Sequence, residues 1–203
     1  TEVFPTRLQR GAGLPNVERI AYLAEMASVQ LSGYDHLILI DAKAPVSFFA
    51  YPDKKSYLVP DDCELHDLVT LEQDALKSLD ALVTAVGATD TVPKLQEAKR
   101  PKLASGKLNA EKIAQAVGAL LPTNAIISDE AQTSGLKIPF HTAGSPRHDL
   151  FTLTGGAIGQ GLPVAVGAAV AAKNRPVLAL VGDGSSMYTI QSLWTIVAEK
   201  LDV

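Results

Sequence analysis

Apolar residues along this chain fall in short unbroken runs punctuated by glycine and proline, not in long amphipathic stripes. The run from Pro176 to Val181, closed by Gly182, is too short for a helix and predicts a strand buried on both faces of a parallel sheet. The same reading predicts strands at His36–Ala42, Ser56–Pro60, Ala125–Ser128 and Leu150–Leu153. Helical periods lie between them. One spans Val17–Gly33, with Asn16 as N-cap, Glu18 in the first turn and Gly33 as the stop. Others are LEQDALKSLDALVTAV, NAEKIAQAVGALL capped by Asn109, and a small-residue helix entered at Pro163. The last, MYTIQSLWTIVAEKL, has Ser185 and Ser186 as candidate N-caps. Alternation of strand and helix predicts an α/β protein built on parallel sheets.

Gly87–Lys107 is polar, holds two Pro and two Gly, and has neither period, so it reads as a linker. It divides the chain into two expected units, 1–86 and 108–203. The first carries the loop KAPVSFFAYPDKKS, whose aromatic residues either shape a binding site or pack over a sheet edge. Thr1–Pro5 resembles the end of a strand, and Leu201–Val203 stops where a further strand is expected, so both units read as incomplete.

Composition narrows the function classes. A net charge of −4, a pI near 5.5 and the absence of any basic run argue against a nucleic-acid partner. The most apolar stretch, Ile158–Ala172, is broken by Gly and Pro and is too short to span a bilayer, so a soluble protein with no membrane partner is expected. Cys63 is the sole cysteine, which excludes an internal disulfide and fits a reducing, cytoplasmic setting. The four histidines show no ligand spacing. His36 and His66 read as isolated, and His141 and His148 sit in a Gly/Pro-rich loop without carboxylate or thiol company.

The candidate chemistry lies at three strand ends, DEAQTS, TGGAIG and GDGSS. Ligands of open parallel sheets sit outside the carboxyl ends of strands, so these turns should converge. Asp183, between Gly182 and Gly184, is a hard oxygen donor at a strand end followed by a helix start, the setting of a magnesium-bridged phosphate or diphosphate. The alternative is a turn whose Asp merely caps the helix. Gly159-Gln160-Gly161 opens a dinucleotide pattern, but the sixth position is Val164 and no acidic residue follows suitably for a ribose. No phosphate-binding G-x-x-x-x-G-K-[ST] is present.

Read together, GDGSSMYTIQSLW, LTGGAIGQGLPVAVGAA and SDEAQTSG resemble the diphosphate-binding domain of thiamine diphosphate-dependent decarboxylases and acetolactate synthases. The resemblance covers nearly all of Leu108–Val203, with a softer likeness of residues 1–86 to the latter part of the central domain of acetolactate synthase-like members. It implies a doubly wound second unit that binds thiamine diphosphate and Mg2+. By that resemblance Asp183 is the metal ligand, and the turn Gly182, Gly184 and Ser185 holds the diphosphate. Gln132 and Thr133 touch the diphosphate from the first strand end. Gly156 accepts a hydrogen bond from the aminopyrimidine, Ala157 lies beside it, and Ile158 is the wedge beneath the cofactor, for which a stiff β-branched side chain is suited.

The family's second metal ligand, from a paired-Asn motif, falls beyond Val203, and its activating glutamate lies in a separate N-terminal domain. Glu130 is not that glutamate. No catalytic residue is therefore assigned here, and the isolated chain is expected to be inactive. The implied function is acetolactate synthase-like carboligation of 2-keto acids in branched-chain amino acid biosynthesis. A benzoylformate-type decarboxylase and a noncatalytic α/β binding module are the alternatives. The resemblance further implies a homodimer or homotetramer whose partner subunit completes the site, and the sequence leaves FAD undecided.

Overall fold

The computed structural model describes residues Thr1–Val203. In chain order its elements are β1 (Arg7–Arg10), α1 (Ala24–Leu31), β2 (His36–Ile40), β3 (Glu64–Val69), α2 (Ala75–Ala85), α3 (Ala110–Leu120) and β4 (Ile126–Glu130). Then follow α4 (Gln132–Gly135), α5 (Ile138–Thr142), β5 (His148–Phe151), α6 (Gly161–Ala171), β6 (Val177–Val181), α7 (Asp183–Ser186) and α8 (Ser192–Ala198). No helix is long and apolar enough to cross a membrane. The chain forms two compact units, one of Thr1–Val3 with Glu18–Val92, the other of Phe4–Val17 with Pro93–Val203. Phe4–Val17 thus belongs with the second unit and not with the 1–86 segment expected from sequence, because β1 pairs with β5.

The larger unit carries a four-stranded sheet in the order β1-β5-β4-β6. β5, β4 and β6 are parallel, whereas β1 is antiparallel, with Arg7 opposite Phe151 and Arg10 opposite His148. Successive side chains of a strand face opposite sides, and β4 shows this directly. Ile127 joins Leu121, Ala125 and Leu150 on one face, packed by Val117 of α3. Ile126 joins Val177 with Ala165 and Ala169 of α6 on the other. Full burial of such an isoleucine stabilises by about 1.5–3 kcal/mol. On α3, a Cβ at Gly118 would lie 2.1 Å from the His141 carbonyl oxygen, so only glycine lets α5 approach.

β6 is the edge strand, which corrects the expectation of burial on both faces: only Val177 is fully buried and the remainder is half-buried. The expected linker also proves partly ordered against this unit. Leu95 bridges Pro15, the Gln96 amide donates to the Leu14 carbonyl while the Gln96 carbonyl accepts from the Gly13 amide, and the Lys99 amide donates to the Gly144 carbonyl at 3.0 Å. These amides find backbone partners, so the polar composition of 93–101 does not make it a free tether.

In the smaller unit β2 and β3 form a parallel pair. The predicted strand at Ser56–Pro60 is reduced to a single bridge between Tyr57 and Val46, and the second strand lies instead at Glu64–Val69. α1 begins at Ala24, not Val17, without a side-chain cap. Gln30 explains the late start, since its side chain accepts from the Ala21 amide and donates to the Arg19 carbonyl, holding those residues outside the helix. α2 begins at Ala75, later than the expected Leu71, with Asp74 as its cap accepting from the Lys77 amide at 3.1 Å. The aromatic loop packs on itself and on Tyr22, with the Phe48 and Phe49 rings 4.9 Å apart, while Tyr51 rests on the Ala24, Leu31 and Leu58 core.

Parallel register corrects one further expectation. His36 lies opposite Glu64 and Ile38 opposite His66, so the two histidines are not isolated but meet at 3.0 Å.

Candidate functional site

β5, β4 and β6 run parallel, so the turns that follow them leave from one end of the sheet. These are the three glycine-bearing or polar turns singled out in the sequence, and specific bonds tie them together. The Gly182 amide, after β6, donates to the Glu130 carbonyl at the end of β4 at 3.1 Å. The Glu130 side chain, 1% exposed, turns toward the segment after β5 and accepts from the amides of Gly159 and Gly161. Ser128, also on β4, donates from its hydroxyl to the Gly161 carbonyl at 2.8 Å. Thr189, beyond β6, donates to the Gly159 carbonyl at 2.7 Å. The three corners form one assembly, as the parallel-sheet rule requires.

The backbone of this assembly needs its glycines. Gly155, Gly156 and Gly159 have φ of 66°, 68° and 91°, in the left-handed region that side-chain-bearing residues avoid. At Gly159 a Cβ would also lie 2.7 Å from Cβ of Tyr188. Thr154–Gly156 makes a tight turn, and Ala157 and Ile158 follow it at the surface. Ile158 is 48% exposed, an apolar β-branched side chain standing among polar corners. Gln132, at the start of α4, holds a φ of 49° despite its side chain, and strain of that kind gathers at functional sites. Gln132 and Thr133 are both exposed.

After β6 the chain passes through Gly182 into the single turn α7. Asp183 is exposed and directed away from the core, while Ser185 is buried. No side chain caps α7, so the amides of its first residues carry no intrahelical acceptor. A Cβ at Gly184 would meet nothing within 4 Å, so packing does not explain glycine there. Contrary to expectation, Ser185 and Ser186 do not cap a helix from Met187. They lie inside α7, the Ser186 hydroxyl donates to the Asp183 carbonyl at 2.7 Å, and the longer helix starts only at Ser192. A series of turns from Met187 to Gln191 separates the two, because Thr189 is drawn to Gly159.

An exposed carboxylate, unused helix-start amides and a strained polar corner form a donor set for an anion neutralised by a hard divalent cation. Sequence reasoning missed Glu130 and Thr189, which hold the corners in place. The signal for Glu130 was a carboxylate at the end of an apolar strand, where burial demands partners.

Residues 132–203 match the family described as thiamine pyrophosphate enzyme, C-terminal TPP binding domain. Residues 132–203 are thus similar to the thiamine diphosphate-binding domain of that family, and the chain as a whole to a fragment of such an enzyme. Every candidate residue from Gln132 to Ser185 falls inside the matched segment of this thiamine diphosphate-binding domain. The chain is 55% identical over 202 residues to the acetolactate synthase large subunit-like protein IlvX of Mycobacterium tuberculosis, covering all of this chain and 39% of that relative. The benzoylformate decarboxylase of Pseudomonas aeruginosa is 34% identical over 94 residues, 44% of this chain and 17% of the enzyme. The fold is shared with the thiamine diphosphate-dependent 4-hydroxybenzoylformate decarboxylase of Rhodococcus jostii RHA1. The TM-score is 0.67 at 23% identity, over 90% of this chain and 37% of that one. The chain therefore spans well under half the length of the relatives it matches.

Two groups with displaced titration lie at the other end of β5, away from these corners. Burial lowers the pKa of His148, helped by the Arg10 charge and opposed by its hydrogen bond to the Pro146 carbonyl at 2.8 Å. Burial raises that of Asp149, but hydrogen bonds from Arg7 and Arg175, at 2.8 and 2.6 Å, with their charges, outweigh it and hold the carboxyl below its ordinary value.

Proposed function

We propose that this chain supplies the diphosphate-binding part of a thiamine diphosphate- and Mg2+-dependent enzyme that joins 2-keto acids in the manner of acetolactate synthase. Convergence of the three turns on exposed Asp183 carries this reading, and 55% identity along the whole chain to an acetolactate synthase-like relative supports the carboligase form.

Thiamine diphosphate, when bound, supplies the electron sink that allows a 2-keto acid to lose carbon dioxide. The residues of this chain bind and orient. Asp183 would hold Mg2+ through one carboxylate oxygen, enough for an ion that takes only one or two carboxylates from protein. The turn Gly182, Gly184 and Ser185 presents amides to the diphosphate, and Gln132 and Thr133 approach it from β4. Gly156, Ala157 and Ile158 would hold the aminopyrimidine and thiazolium end of the cofactor, Gly156 through its carbonyl and Ile158 through a side chain stiff at χ1. Glu130 keeps the Gly159–Gly161 segment in register with the Asp183 turn and does not itself meet the cofactor. A partner subunit completes the site in a homodimer or larger assembly.

Decarboxylation without carboligation is the second reading, favoured by the likeness to benzoylformate decarboxylase. The test titrates the complete gene product in its native assembly with thiamine diphosphate and Mg2+, then measures carbon dioxide and acetolactate formed from pyruvate, and benzaldehyde formed from benzoylformate. Acetolactate supports the carboligase, and benzaldehyde alone supports the decarboxylase. Saturable cofactor binding without turnover of any keto acid indicates a binding module, and absence of Mg2+-dependent cofactor binding overturns the assignment.

A further inference from the structure

The smaller unit carries a group of side chains unconnected with the diphosphate corners. Glu64 and His66 are two apart on β3 and therefore share a face, and parallel register sets His36 of β2 directly opposite Glu64. Nδ1 of His36 lies 3.0 Å from Nε2 of His66. The two oxygens of Glu64 divide between them, Oε2 at 3.6 Å from His36 Nδ1 and Oε1 at 3.8 Å from His66 Nε2. All potential ligand atoms lie within 4.8 Å of one another.

These spacings are those of a coordination shell. Tetrahedral zinc holds imidazole nitrogen at about 2.0–2.1 Å and carboxylate oxygen at about 2.0–2.2 Å, which places neighbouring donors about 3.3–3.6 Å apart. The three observed separations straddle that range, so small side-chain rotations suffice. Hydrophobic packing does not account for the cluster, because the three side chains are 61%, 66% and 42% exposed for His36, Glu64 and His66. The same exposure gives an ion direct entry and leaves a fourth position to water.

The geometry points to a surface Zn2+ site formed by His36, Glu64 and His66. Two imidazoles and one carboxylate favour zinc over magnesium, which prefers an all-oxygen octahedron. Its consequence is mechanical. A two-stranded sheet is marginal alone, and here a loop from Asp41 to Cys63 separates the strands, so an ion bridging them stabilises their pairing. This inference does not depend on the proposed enzymatic function.

The test uses the full chain, stripped with chelator and titrated calorimetrically with Zn2+ in buffer containing millimolar Mg2+. Expected are one saturable Zn2+ equivalent that excess Mg2+ does not displace, a Co2+ derivative with the intense visible bands of tetrahedral coordination, and an upward shift in melting temperature. Single H36Q and H66Q variants should each weaken binding by at least about tenfold, since loss of even a group supporting a ligand costs that much. Both positions are exposed, so the variants should fold, as circular dichroism will check. H141Q, which removes the unrelated His141–Glu111 contact, should leave the stoichiometry intact. Absence of Zn2+ binding, octahedral Co2+ spectra, or affinity unchanged in the H36Q/H66Q double variant would overturn the site.

Discussion

The backbone amide of Gly161 donates to Oε2 of Glu130 at 2.5 Å, in a contact so close that a Cβ at position 161 would lie 2.7 Å from the same oxygen. A carboxylate fixed at the end of β4 thereby sets where the segment after β5 can run. Gly161→Ala should cost about 1–3 kcal/mol from overpacking alone. Glu130→Gln should cost about as much or more, because one amide loses its acceptor and meets an N–H instead. Urea denaturation will measure both, and amide exchange at Gly159 and Gly161 should accelerate in Glu130→Gln before global unfolding does.

Asp183 makes the opposite prediction. Its side chain is exposed, so Asp183→Asn should alter folding stability by no more than about 0.5 kcal/mol. In the complete gene product, Mg2+-dependent retention of thiamine diphosphate should fall at least about tenfold, a loss of roughly 1.4 kcal/mol of binding. Fluorescence of Trp194, the only tryptophan, provides a readout on α8. Unchanged retention would exclude Asp183 as a metal ligand.

The buried imidazole of His148 should impose an acid-side slope on stability. Its Nε2 is buried without a hydrogen-bond partner, and its pKa lies below the ordinary 6.5. Above pH 6.5 the group is neutral in both folded and unfolded chains and costs nothing. As pH falls below 6.5 the unfolded chain takes up a proton that the folded chain resists, and stability is lost until the folded pKa is passed. Replacing it with a group that does not titrate, His148→Gln, should flatten unfolding free energy measured from pH 7 to 5, whatever its effect at pH 7.

A second, lower acid transition belongs to Asp149. Its folded pKa is held below 3.8, so its contribution is complete above that value and disappears as pH falls through the folded pKa. Asp149→Asn leaves Arg7 and Arg175 without their shared carboxylate. It should cost about 1–3 kcal/mol at pH 7, moderated because Arg7 is half-exposed. The variant should also lose the transition below pH 3.8 in a thermal melt series.

Strand β6 and the start of β4 were readable as apolar runs stopped by polar or glycine turns, whereas only the second half of β5 was, because it begins with His148 and Asp149; the cofactor family was readable because those turns carry three ordered motifs. β1, with the sequence RLQR, was not, since an antiparallel edge strand needs little apolar surface and Arg7 serves Asp149. β3 escaped for a related reason. Glu64, His66 and Asp67 make it look like a turn, and only the register with β2 shows that two of them meet His36. The start of α8 was misplaced because Thr189 bonds to Gly159, a contact 30 residues distant that no local capping rule registers.

The bridge between Pro15 and Leu95 carries a practical implication. Strand-like pairing places the points where residues 18–92 leave and rejoin the larger unit side by side. Excising that segment and rejoining Asn16 to Lys94 through a few flexible residues should leave the four-stranded sheet able to form by itself, with the turns at Glu130, Gly159 and Gly182 still bonded to one another.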